Sequence, residues 1–200
     1  FLLFLKKKLN TDLNLEIVLI KIRKEIIEAL IENKKKNLKK YLDFIIALSE
    51  QCWLNEYIFP KTEKEIKLEK RLINKIEKDE NINELEISIL SCFSALKKTT
   101  SIFKKLKNFK SENKLFNQLI LSQIIEPLEE ENLKKSIKSY KNINDEVSKK
   151  VKMQYEENPY PRWKSCNINI SQNYIKCIND DINPYILPFN EKIYEPDVLI

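Results

Sequence analysis

No glycine occurs anywhere in these 200 residues, and that absence constrains the fold more than any motif does. Glycine enters positive-φ backbone at no steric cost, and ordinary chains carry about 7% of it in tight turns, helix C-caps and phosphate loops. Asparagine is expected to take over those positions here. The same absence excludes whole classes of site, since a P-loop or a G-x-G-x-x-G fingerprint needs glycine for the backbone to approach phosphates. Histidine is absent too. Ser-His-Asp and Cys-His catalysis are therefore excluded from these residues, and a zinc site is argued against.

With 42% hydrophobic and 33% charged residues, the chain can bury a real core as one domain, or one and a part. Cys52, Cys92, Cys166 and Cys177 form no C-x-x-C pair, so they read as reduced, mostly buried thiols with no metal ligated. No apolar run approaches the roughly eighteen residues that span a bilayer, and no signal-peptide pattern is present. A cytoplasmic protein is expected, and the start on Phe1 and stop on Asp197-Val-Leu-Ile suggest a fragment of something longer.

The net charge of +6 is uneven: residues 1–150 carry 31 basic and 23 acidic side chains, residues 151–200 carry 5 and 7. Runs such as Lys34-Lys-Lys and Lys104-Lys105 could meet phosphates, but acids interleave with the lysines and no aromatic platform is evident. The expectation is a solvated helix face, with a basic nucleic-acid-binding domain as the weaker reading because the acids interleave.

Apolar residues at three- and four-residue spacing predict a helix over 13–31, started by Thr11 or Asp12, and a second over 37–58 with Leu42, Ile45, Ile46, Cys52 and Trp53 on one broad stripe. Thr62 and Glu65 form a capping box for a third, and Asn83 with Glu86 repeats the device ahead of Ile87, Leu90, Phe93 and Leu96. A further helix is predicted over 114–125. Pro127 then opens another, with Glu129, Glu130 and Glu131 as charges at its positive end. Asn144 is expected to cap a last helix carrying Val147, Val151 and Tyr155, which ends near Asn158 because Pro159 and Pro161 disfavour continuation. The fold class is thus mainly α: a bundle of about seven amphipathic helices (residues 1–158), a Pro-rich linker (159–194), and a first β-strand (195–200) whose apolar Val-Leu-Ile suits a buried parallel sheet.

One segment departs from this pattern. Q-Y-E-E-N-P-Y-P-R-W at 154–163 resembles the signature of bacterial proteins that join tetratricopeptide repeats to a class I S-adenosylmethionine-dependent methyltransferase domain. T-D-L-N-L-E-I-V-L-I-K-I-R (11–23), L-S-E-Q-C-W-L-N-E-Y-I-F (48–59) and E-P-L-E-E (126–130) fall in the order of that family, and E-P-D-V-L-I (195–200) resembles its first strand. The resemblance implies a Rossmann-like α/β methyltransferase domain truncated just before the loop that holds the cofactor, S-adenosyl-L-methionine. It implies that this chain is the helical part that positions or caps the catalytic domain and is inactive alone. The other reading left open is a helical repeat-type interaction module without catalysis, although no clean 34-residue period is visible.

Under the resemblance, Tyr155, Asn158, Tyr160, Arg162 and Trp163 belong to a stiff segment that either forms a lid over the cofactor or anchors the helical domain to the sheet. A lid would exclude water and align the methyl group with its acceptor, aromatic faces would favour the sulfonium, and Arg162 could pair with a carboxylate. For Gln51, Cys52, Trp53, Asn55, Glu56 and Tyr57 the structural reading leads, with Cys52 and Trp53 on the apolar stripe and Asn55 and Glu56 satisfying helix ends. A pocket rim that contacts substrate is the alternative.

Overall fold

A computed structural model describes residues 1–32, 35–137 and 145–157. The chain divides into two units, Phe1–Lys164 and Ser165–Ile200, and every described residue belongs to the first. The expected linker and strand therefore lie outside the described residues.

The helices are more numerous and shorter than seven. In chain order they are α1 (Leu2–Lys7), α2 (Leu13–Ile31), α3 (Lys35–Lys39), α4 (Leu42–Leu54), α5 (Glu63–Lys78), α6 (Glu84–Leu90), α7 (Thr100–Leu106), α8 (Lys114–Ile120), α9 (Glu126–Ser136) and α10 (Glu146–Glu157). Among the described residues there is no strand, and no described helix is long and apolar enough to cross a membrane.

The centre of the bundle is α4, which packs against α1, α6 and α8. Its residues Ile45 to Leu54 are all buried, the pattern of a helix surrounded on every side. The single helix expected over 37–58 is therefore two. Its apolar residues do not form one stripe, because a helix lying on α2 cannot continue straight into the middle of the core. The break falls at Tyr41, whose backbone (φ −106°, ψ 14°) leaves helical geometry between α3 and α4.

Local signals elsewhere act as the sequence predicts. Asp12 starts α2 by accepting a hydrogen bond from Leu15 N at 2.9 Å. Thr62 and Glu65 complete a reciprocal capping box on α5, whose buried positions Glu65, Leu68, Glu69, Leu72 and Ile76 follow the helical period. Asn83 accepts from Glu86 N at 3.2 Å, but the Glu86 carboxylate binds Lys75 Nζ at 2.8 Å and so ties α6 to α5. Helix α6 stops at Leu90, short of Phe93 and Leu96. Ser91 Oγ and Cys92 Sγ both bond to Ser88 O, side chains competing for the carbonyl that would propagate the helix.

Two further expectations are corrected. Pro127 does fall in the first turn of α9, but that turn is not a free helix start, because α8, a π turn over Leu121–Ile125 and α9 run on without a break, and Glu126 N bonds to Leu121 O across the widened turn. Widening just ahead of a proline relieves the clash its ring makes with the preceding turn. Glu129, Glu130 and Glu131 are exposed but face no free helix terminus. At α10 it is Asp145, rather than Asn144, that receives Ser148 N at 2.7 Å; Asn144 itself lies outside the described residues. The bonds from Ser148 hold the Asp145 carboxyl below its ordinary range.

A fully buried polar cluster joins α2 to the first turn of α5. Arg23 of α2 is fully buried. Its Nη2 donates to Pro60 O at 2.6 Å and pairs with Glu65 Oε1 at 3.4 Å, and its guanidinium lies 4.7 Å from the centre of the Phe93 ring. The other oxygen of Glu65 accepts from Thr62 N at 2.8 Å, so one carboxylate closes the α5 cap and neutralises Arg23. Removing that carboxylate leaves a buried cation, which costs about 3–5 kcal/mol, whereas loss of a cap hydroxyl alone costs about 1 kcal/mol. In denaturant titrations Glu65→Ala is therefore expected to lose several times the stability lost by Thr62→Ala; equal losses would contradict this role for Glu65.

Candidate functional site

The polar groups most densely gathered in the core sit where α4 ends and meets the π turn. Gln51, fully buried, donates through Nε2 to Lys8 O at 2.9 Å and Leu5 O at 3.3 Å, and accepts from Asn10 N at 2.7 Å. One amide thus satisfies the turn that carries the chain from α1 into α2. Cys52 is buried beside Cys92. Burial pushes the Cys92 thiol up, and its contact with Cys52 adds to the rise, the opposite of an activated thiol.

The end of α4 is a Schellman motif made without glycine. Tyr57 N reaches back to Cys52 O at 2.9 Å and Glu56 N to Trp53 O at 3.3 Å. This geometry needs left-handed backbone, and Glu56 (φ 56°) and Tyr57 (φ 59°) supply it. The expectation that asparagine takes such positions is wrong in detail. Asn55 stands one residue earlier, where its Oδ1 accepts from Tyr57 N at 3.1 Å and helps fix the strained pair. Trp53 is buried and meets the Tyr57 ring edge-on at a centroid separation of 6.2 Å.

Three more residues complete the seam, none of them singled out from the sequence. Glu50 is 4% exposed and accepts from Ser122 Oγ at 2.6 Å. Gln123, also buried, accepts from Tyr57 O–H at 3.3 Å. Its Nε2 and the Asn55 Nδ2 are buried without a hydrogen-bond partner among the described residues. A carboxylate inside A-L-S-E-Q-C-W is the signal that could have found Glu50. Ser122 and Gln123 depend on the π turn, which periodicity does not reveal.

In this seam the Glu50 carboxylate accepts the Ser122 hydroxyl proton as a hydrogen bond between two buried side chains. Among the described residues no group of three or more Cys, Asp or Glu side chains is arranged to hold a metal. The bonds that are made, from Gln51 to the α1–α2 turn and from Ser122 to Glu50, specify how α1, α4 and the π turn fit together.

Of the cofactor-segment residues, Tyr155 lies on α10 and is 66% exposed, while Asn158, Tyr160, Arg162 and Trp163 lie outside the described residues. The structure thus does not bring Tyr155 to the polar seam through any bond shown. Next to it, Glu156 binds Lys134 Nζ of α9 at 2.7 Å, and this contact holds its carboxyl below the ordinary range.

A family model described as a domain of unknown function (DUF4084) matches residues 55–153, from the end of α4 into α10. No curated protein and no solved structure is matched.

The strained helix end generates a paired test. Glu56→Ala and Glu56→Gly both delete the side chain, so their difference isolates the left-handed backbone. Gly is expected to be more stable than Ala by about 1 kcal/mol, read as a Tm higher by about 2–4 °C; equal melting would show that residue 56 is not left-handed.

Proposed function

We propose that this chain is the helical region of a class I S-adenosylmethionine-dependent methyltransferase, and that it holds and caps a catalytic domain rather than performing chemistry itself. The observation that carries the reading is α10. Val147, Val151 and Tyr155 recur every four residues along one side of this helix and are 68%, 45% and 66% exposed. An amphipathic helix with an uncovered apolar stripe is a docking element, and this one leads in sequence directly into Q-Y-E-E-N-P-Y-P-R-W.

The electrostatics of the helix suit that task. Glu156 is bonded to Lys134 on α9 and lies 3.5 Å from Lys152, so the polar side of α10 is tied back to its own domain. The described residues offer no cradle for S-adenosyl-L-methionine: the seam at the end of α4 is occupied by its own side chains, and no glycine permits close backbone approach. The cofactor is then a matter for residues outside the described ones, and no step of methyl transfer is assigned to α1–α10. On this reading Tyr155, with Asn158, Tyr160, Arg162 and Trp163, forms the join between the helices and the cofactor domain.

The test uses the full-length gene product. Calorimetric titration with S-adenosyl-L-methionine is expected to show binding, and the pair Val151→Asp and Tyr155→Asp is expected to weaken it about tenfold. The same pair sits on exposed positions and should change stability by no more than about 0.5 kcal/mol per site. Absence of cofactor binding, or unchanged affinity in the variants, would overturn the proposal.

A further inference from the structure

The lysines of this chain are not evenly matched with acids once the fold is formed. Seven fall between Leu96 and Lys114 against one acid, Glu112. Lys105 is used internally, its Nζ donating to Ile76 O at 2.8 Å and Glu77 O at 3.0 Å at the end of α5, the usual way a lysine satisfies terminal carbonyls. The other six are exposed and make no ion pair among the described residues, unlike Lys61, Lys64, Lys75 and Lys134, each of which holds a carboxylate.

Three of them, Lys97, Lys107 and Lys110, border two hollows that follow one another along the α8–π–α9 rod. The larger, of about 690 Å³, is lined by Lys107, Asn108, Phe109 and Lys110 above Leu121 and Ile125. The smaller, of about 170 Å³, has Lys97, Thr100 and Phe103 above Ile124 and Pro127. Each hollow thus contains one partly exposed phenylalanine with a lysine at its rim, Phe103 on α7 and Phe109 in the turn that follows it. The larger hollow has the size of a small-molecule pocket, about 300–1,000 Å³. Acids are sparse around it: Glu84 is engaged by Ser111 Oγ, and Glu131 lies at the far end of the smaller hollow.

We propose that this groove binds single-stranded nucleic acid, with phosphates on Lys97, Lys107 and Lys110 and bases against Phe103 and Phe109. An unpaired cationic rim tracks a phosphate backbone, aromatic rings accept bases of any sequence, and the apolar floor excludes water from the stack. An acidic peptide would satisfy the lysines but leave both rings unused, and a flat anionic membrane would not enter the hollows. The site is independent of the methyltransferase reading and uses none of its residues.

Fluorescence anisotropy with labelled oligouridylate and oligothymidylate of about ten nucleotides tests it. Binding is expected with a log–log salt slope near −2, about −0.7 for each of three phosphates neutralised. Lys107→Glu with Lys110→Glu should weaken binding about tenfold or more and flatten that slope by about 1.4. Lys67→Glu with Lys70→Glu, exposed on α5, changes net charge equally and should leave affinity within about twofold. Four results would each overturn the proposal: no binding of either oligonucleotide, equal losses in the two double variants, inorganic polyphosphate of matched charge binding as tightly, or tighter association with equimolar phosphatidylserine–phosphatidylcholine vesicles.

Discussion

The fold depends on one buried cation. Arg23 reaches from α2 into the space between the loop after α4, the first turn of α5 and the ring of Phe93, and every one of those contacts would be lost if its charge were left unmatched. Glu65 supplies the match while also closing the cap of its own helix. A buried pair of this kind adds little net stability over an apolar filling, since desolvation offsets most of the attraction. Its effect here is positional. The carbonyl of Pro60 and the carboxylate of Glu65 can be satisfied together only when α2 and α5 lie side by side at one register, and α6 then packs into the angle between them.

The absence of glycine sets the second constraint, and the chain meets it in two ways. Most turns avoid left-handed backbone altogether and start the next helix with Asp12, Thr62, Asn83 or Asn113. Where left-handed backbone is unavoidable, after α4, Glu56 and Tyr57 accept the strain, held by Asn55 and by the buried Trp53–Tyr57 edge contact. Separately, where a proline would ordinarily break a helix, the π turn at Leu121–Ile125 absorbs it and brings Ser122 to Glu50.

These constraints explain what was legible in the sequence. Helices α2 and α5 were readable because cap chemistry and a clean apolar stripe agree at both. Helix α4 was not readable as a separate element, since a helix buried on all sides has no stripe and its start at Leu42 carries no cap. Only Leu5 of α1, and Ile102 and Leu106 of α7, are buried, too few to produce a period. At the candidate site Gln51, Cys52, Trp53, Asn55, Glu56 and Tyr57 stand out as an unusual string, and the structure sends them to different neighbours: Gln51 to the α1–α2 turn, Cys52 to Cys92 and Tyr57 to Gln123. Ser122 and Gln123 escaped notice because their inward direction is set by the π turn. The lysine excess beside α7 stands in the sequence, seven lysines against Glu112 over 97–114, whereas the hollows that set Lys97, Lys107 and Lys110 beside Phe103 and Phe109 exist only once α8, the π turn and α9 form their floor.

Helix α10 presents an exposed apolar stripe, Val147, Val151 and Tyr155, and hydroxyl-radical footprinting of α10 tests most directly whether a domain docks there. Tyr155 lies on the apolar stripe, while Met153, 59% exposed, lies about 200° around the helix from Val151, at ~100° per residue. Comparing this chain with the full-length gene product, oxidation of Tyr155 should fall sharply while that of Met153 is unchanged, because a domain docked on the stripe covers one and not the other. Equal oxidation of Tyr155 in both proteins would contradict the claim that α10 is the surface on which a catalytic domain sits.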